Sequence, residues 1–183
     1  MVNRVQKGRT TFRVPAVQTW PLLLGSFMPD MPLIALTIGL IGYDWLGGSP
    51  LYPAGVGYSS NVQYLFDHLF FESVLVKTLH NVFHAPLLTL AYTAVGYLAW
   101  RRNATWGASL FWFGLSTCLH TAADIPLHYD DGPLLLFPFN LSVRFHSPLS
   151  YWDPARYGLQ WAIFEHLLDL GLIVYLVWGR RRH

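Results

Sequence analysis

Residues 106–127 read WGASLFWFGLSTCLHTAADIPL. A mainly apolar run of about 20 residues is what an α-helix needs to cross a bilayer, and this one begins at a Trp, a side chain that gathers at membrane–water boundaries. The run is not uniformly apolar. His120 and Asp124 stand four apart in its second half, with His128 four further on, so at 3.6 residues per turn all three share one helical face. An ionisable group inside a span costs about 3 kcal/mol on insertion scales, and such groups face a bundle interior, where they are paired or functional. The stretch therefore predicts a membrane helix that carries chemistry on one side.

Three further runs, 20–46, 82–100 and 157–178, have the same character. With 106–127 they predict an all-α, polytopic membrane helical bundle of about four transmembrane helices, forming a single membrane domain over 1–183 with a basic tail at 1–19. Composition agrees. Charged residues make up 12% of the chain against about 25% in ordinary globular domains, 53% is hydrophobic and mean hydropathy is +0.32. Disorder needs low hydrophobicity with high net charge, and the net charge here is +2. The twelve Lys and Arg fall into small clusters rather than one basic face, which argues against a nucleic-acid partner. The single cysteine, Cys118, excludes an internal disulfide framework.

Those clusters orient the chain. Arg4, Lys7, Arg9 and Arg13 precede the first run, Arg101 and Arg102 separate the second from the third, and Arg180, Arg181 and Arg182 follow the fourth. Four spans place all three clusters on one side, which the positive-inside rule makes the cytoplasm, with both termini inside. Pro15, Gln18 and Pro21, without a small-residue cleavage pattern, argue against a cleaved leader. Between the runs, 61–77 mixes Asp67, His68, Glu72 and Lys77 with apolar residues at helical spacing and predicts an interfacial amphipathic helix, its apolar face set either on lipid or on the protein's own outer surface. Residues 129–156, interrupted by Pro133, Pro138, Pro148 and Pro154, predict an irregular outer loop that lies over the bundle.

The ionisable residues gather at one level. At about 1.5 Å per residue from the cytoplasmic ends, His84, His120 and Glu165 lie about 21–25 Å deep and Asp169 about 15 Å. Imidazole and carboxylate together, without thiolate, suit zinc or another first-row divalent ion. Such an ion, with an open coordination position, polarises a carbonyl or phosphoryl oxygen or activates water, which is hydrolase chemistry. The candidate metal ligands are Asp30, His80, His84, His120 and Asp124, and the candidate bases are Glu165 and Asp131. His80 and His84 have the spacing of a zincin helix, but Asn81 stands where its general-base Glu would be. Glu165, His166 and Asp169 have a structural alternative as polar links between helices. Arg144 and His146 are candidates for contact with an anionic headgroup, which would make membrane lipids the substrate or partner.

Several stretches carry a resemblance: Gly-Ser-Phe-Met-Pro-Asp-Met-Pro at 25–32, His-Thr-Ala-Ala-Asp at 120–124, Pro-Leu-His-Tyr-Asp-Asp-Gly-Pro at 126–133 and Arg-Phe-His-Ser-Pro-Leu-Ser-Tyr-Trp-Asp-Pro at 144–154. From about Trp20 to Trp178 the chain resembles the small bacterial LexA-binding, inner-membrane-associated metal-dependent hydrolases. The resemblance implies a metal site at the positions matching that family's Pro-Asp, histidine-pair and His-x-x-x-Asp motifs, here Asp30, His84, and His120 with Asp124. The chain departs from the pattern at Pro32, where a second Asp is usual, and in the His80–His84 spacing, one residue shorter.

A non-catalytic reading stands beside this one. Eight Trp, ten Tyr and twelve Phe in 183 residues also suit an accessory subunit of a larger membrane protein complex, with the His/Asp cluster structural or ligating a pigment or haem.

Overall fold

The computed structural model describes residues 13–180. Arg4, Lys7, Arg9, Arg181 and Arg182 of the basic clusters lie outside the described residues. The chain forms α1 (Thr19–Phe27), α2 (Met31–Trp45) and α3 (Asn61–Tyr64), which runs through a π-helical turn at Leu65–Leu69 into α4 (Phe70–Glu72). Then come α5 (Val74–Asn81), α6 (Pro86–Arg101), α7 (Gly107–Asp124) and α8 (Gly158–Arg180), with short 3-10 turns at Ile125–Leu127 and Pro154–Arg156. The described residues contain helices and no strand.

The centre is α7, flanked by α6 and α1. The α6–α7 pair is close because glycines remove side chains from the contact: a Cβ on Gly96 would land on the Phe111 amide, and one on Gly114 would lie 2.5 Å from the Thr93 nitrogen. Close approach at small residues is the usual basis of helix association in membranes. Gly96 meets Phe111 while Gly114 meets Thr93, so the two helices run antiparallel.

Toward α1 the contact is polar. Ser109 Oγ donates to Gln18 Oε1 (2.6 Å), Trp112 Nε1 to the Ala16 carbonyl (2.7 Å), Ser116 Oγ to the Leu22 carbonyl (2.7 Å) and His120 Nδ1 to the Ser26 carbonyl (2.7 Å). Positions 109, 112, 116 and 120 form one stripe at helical spacing. It runs parallel to α1 and spends the polar residues of α7 on interhelical hydrogen bonds.

This arrangement corrects the expected count of four spans. Val74–Arg101, which is α5 and α6 with the break between them, and Gly158–Gly179 within α8 are long and apolar enough to cross a membrane. The α1–α2 pair passes only jointly, bent by 56°. Two such helices, or three if the bent pair is one span, replace four among the described residues. The run 106–127 fails because Ser109, Ser116, Thr117, His120, Thr121 and Asp124 dilute its hydropathy. It is an internal helix whose polar side is matched by protein. The run 20–46 is broken because Pro29 and Pro32 each lack a backbone N–H, so the carbonyls four residues earlier lose their helical donors.

The amphipathic helix expected at 61–77 is likewise interrupted. Ser73 is extended (φ −75°, ψ 119°), and its hydroxyl accepts from the Val76 amide, starting a new helix. Leu65, Phe70 and Val76 are buried, packed with Leu33, Leu36 and Leu40 of α2, so this segment covers the protein's own surface. Residues 129–156 follow an irregular path. Leu134 and Phe137 pack on Ala85, and the Leu134 amide donates to Asn81 Oδ1 (2.7 Å). Tyr157, in the left-handed region at φ 68°, then turns the chain into α8, which is exposed along almost its whole length.

If the α6–α7 contact holds the bundle, Gly96→Ala overpacks it and costs about 1–3 kcal/mol. Thermal unfolding in a non-ionic detergent is expected to show a lowered midpoint for Gly96→Ala and none for Gly171→Ala, where a Cβ meets open space.

Candidate metal centre

Two helix breaks face each other across α7. In a continuous helix the Ser26 carbonyl would accept from the Asp30 amide. At the break that amide turns to the Phe27 carbonyl (3.2 Å), and Ser26 accepts from His120 Nδ1 instead. On the other side Pro86 has no N–H to offer the Val82 carbonyl, which takes the Tyr92 hydroxyl (2.7 Å), and the His84 carbonyl takes the Thr121 hydroxyl (2.8 Å). Adjacent residues of α7, His120 and Thr121, thus fasten the two breaks, and the breaks carry Asp30 and His84 to the same place.

There His84 Nε2 lies 2.7 Å from Asp124 Oδ2, His120 Nε2 lies 3.1 Å from the same oxygen, and Asp30 Oδ1 lies 3.5 Å from His120 Nε2. One ligand atom from each of His84, His120 and Asp124 lies within 4.8 Å of the other two. A tetrahedral ion with ligands at about 2.0–2.1 Å holds them about 3.3 Å apart, so small rotations close the set. The His84 side chain is 4% exposed, His120 17% and Asp124 21%, whereas Asp30 is half exposed and forms the open side.

The hydrogen bonds fix the chemistry of His120. A carbonyl only accepts, so Nδ1 carries the proton that goes to Ser26. Nε2 is buried and has no hydrogen bond, Asp124 lying near it but out of line. In the neutral ring that nitrogen is a lone pair facing two carboxylates, an arrangement that a cation between them relieves. A ligating imidazole with its other nitrogen donated to a carbonyl is the common support for a bound metal. The donor set, two imidazoles and a carboxylate, fits a divalent ion with a position left open.

Of the candidate ligands, His84, His120 and Asp124 come together, with Asp30 beside them. His80 stands behind His84, its Nε2 3.2 Å from His84 Nδ1, and is not in the cluster. Neither candidate base touches the cluster, but both line the cavities beside it. Glu165 accepts a hydrogen bond from the Tyr151 hydroxyl, which holds the phenol's proton and pushes its pKa up to about 12. Asp131 Oδ1 is buried without a partner, and burial raises its carboxyl above the usual range. His166 turns to the Ala162 carbonyl on its own helix, and Asp169 is exposed. His128 donates Nδ1 to the Asp124 carbonyl (3.0 Å). Ser26 and Thr121 escape a search for ligands by type. Their signal is the proline that frees a carbonyl nearby.

Fold and cluster together define a helical protein with membrane-length helices and a buried His/His/Asp set able to chelate a metal ion. No known protein-family model, curated protein or solved structure matches the chain.

Elemental analysis after dialysis is expected to find one divalent ion per chain, lost in His84→Ala, His120→Ala and Asp124→Ala. Occupancy should fall as pH drops, since protons compete for the same imidazole lone pairs.

Proposed function

We propose that the chain is a membrane-embedded metal-dependent hydrolase acting on a lipid or lipid-linked ester or phosphoester, with zinc held by His84, His120 and Asp124. The observation that carries the reading is the convergence of His84 and His120 on Asp124, with the buried His120 Nε2 facing both Asp124 and Asp30 at a place where two cavities meet. When bound, the ion supplies Lewis-acid polarisation of the scissile oxygen and acidifies water. The residues do the rest. Ser26 holds His120 in the tautomer that presents Nε2, and His80 steadies the His84 ring. Glu165 or Asp131 accepts the proton of the attacking water and returns it to the leaving group. Glu165 is oriented by the Tyr151 hydroxyl, while burial raises the Asp131 carboxyl and makes its carboxylate a readier proton acceptor.

The resemblance to the LexA-binding, inner-membrane-associated hydrolases belongs to this proposal, as does a bacterial inner-membrane location with the Arg101–Arg102 turn in the cytoplasm. Hydrolysis of a panel of lipid esters and phosphoesters in mixed micelles tests it. Activity should vanish with chelation and in His120→Ala. Glu165→Gln or Asp131→Asn, whichever replaces the base, should keep the metal and lower kcat by about 10²–10⁴. Metal-replete protein that cleaves nothing on the panel would sink the reading. The exposed length of α8 favours a second one, a non-catalytic subunit docked by that helix in a larger assembly. A stoichiometric partner that co-purifies with inactive, metal-replete protein would select it.

A further inference from the structure

The cavities on either side of the cluster share Asp30, Leu33, Phe66, His128 and Trp152, so they are two lobes of one cleft. Each is of ligand size, about 700 Å³ and about 780 Å³. Their chemistry differs. The larger lobe lies between α2 and α8 and carries Ile34, Ile38, Trp161, Phe164 and Leu168. Because α8 stands away from the bundle, this lobe opens sideways toward lipid. The smaller lobe is walled by Phe66, Phe70, Phe71 and Trp152, and carries Asp67, Asp130, Asp131 and Asp153 with no Lys or Arg in its lining.

The nearby cations are already engaged. Arg144, the sequence's candidate for an anionic headgroup, lies over the Phe70 ring at 4.8 Å and donates to the Gly132 carbonyl. Arg156 pairs with Asp153 at 3.3 Å and covers Tyr129. His146 is exposed against Tyr129. None of the three lines the lobe. An anionic headgroup would meet carboxylates there, with no Lys or Arg in the lining to receive it.

We propose that this cleft binds an amphiphile whose headgroup is a quaternary ammonium, with the head in the aromatic and acidic lobe and the alkyl chain between α2 and α8. Aromatic faces ringed by carboxylates are the recognised surroundings of such a cation. A second feature of the wall points the same way. His80 is 4% exposed, and its Nδ1 has no hydrogen-bond partner. His84 Nε2 lies 2.7 Å from Asp124 Oδ2, which only accepts, so it carries the proton of His84; His84 Nδ1 then accepts from His80 Nε2, and His80 Nδ1 is a buried lone pair. As a lone pair it adds to the negative lining of the lobe and, like the carboxylates, suits a cationic head. As a statement about substrate this rests on the hydrolase reading. As a statement about binding it does not.

The test uses the full chain in maltoside micelles and two non-hydrolysable probes of one chain length, hexadecyltrimethylammonium and hexadecyl sulfate, with binding followed by tryptophan fluorescence. The cationic probe is expected to bind at least tenfold more tightly, and the preference to shrink about tenfold in an Asp67→Asn/Asp130→Asn double variant, both positions being exposed. Phe66→Leu should weaken the trimethylammonium probe more than hexadecylamine, since only the aromatic wall distinguishes the two heads. Equal binding of both probes, or a preference untouched by the Asp substitutions, would overturn the proposal. Wild-type protein treated with a chelator should keep the preference, so a failure of catalysis and a failure of this inference are read separately.

Discussion

A backbone carbonyl left without its helical donor is the constraint from which the rest follows. A buried carbonyl must be satisfied, in a membrane above all, and the prolines at 29, 32 and 86 interrupt the helical supply. Side chains of α7 answer on both sides. By donating to Ser26, His120 is fixed in one tautomer and one orientation. By donating to His84, Thr121 fastens the backbone of the residue that must face His120. Packing and chemistry are therefore one arrangement: the hydrogen bonds that make the breaks tolerable are those that converge the imidazoles on Asp124.

The same economy explains the position of α7. Its glycines admit α6 closely, and its hydroxyls, indole and imidazole bond to α1, so little of its surface suits lipid. What surrounds the cluster is protein on three sides and an acidic, half-exposed Asp30 on the fourth. Such a site has a low local dielectric, which strengthens every electrostatic interaction within it, while remaining open to a ligand.

The sequence revealed the parts with strong local signals. Low charge with long apolar runs announced membrane helices, and the spacing of His120 and Asp124 placed them on one face, where they lie. It misjudged the role of 106–127, because a polar stripe that bonds to a neighbouring helix and one that faces a cavity look alike in one dimension. His80 and His84 share a helical spacing but not a role, since the break after Asn81 swings His84 forward and leaves His80 behind it. Arg144 looked available for an anion, yet the rings of Phe70 and Phe71, over seventy residues earlier, hold it. Asp30 stands 90 residues before His120, with no local pattern to pair the two. The break between α1 and α2 brings it to His120.

Length adds one more consequence. At about 1.5 Å per residue, the 23 residues of α8 extend about 34 Å, somewhat more than the hydrocarbon thickness of about 30 Å. A helix too long for its bilayer relieves the mismatch by tilting, and α8, loosely held beyond its pivot at Tyr157, is free to do so. Since it forms one wall of the cleft, its tilt sets the width of the opening. Bilayer thickness would thereby set how far the cleft opens at its side.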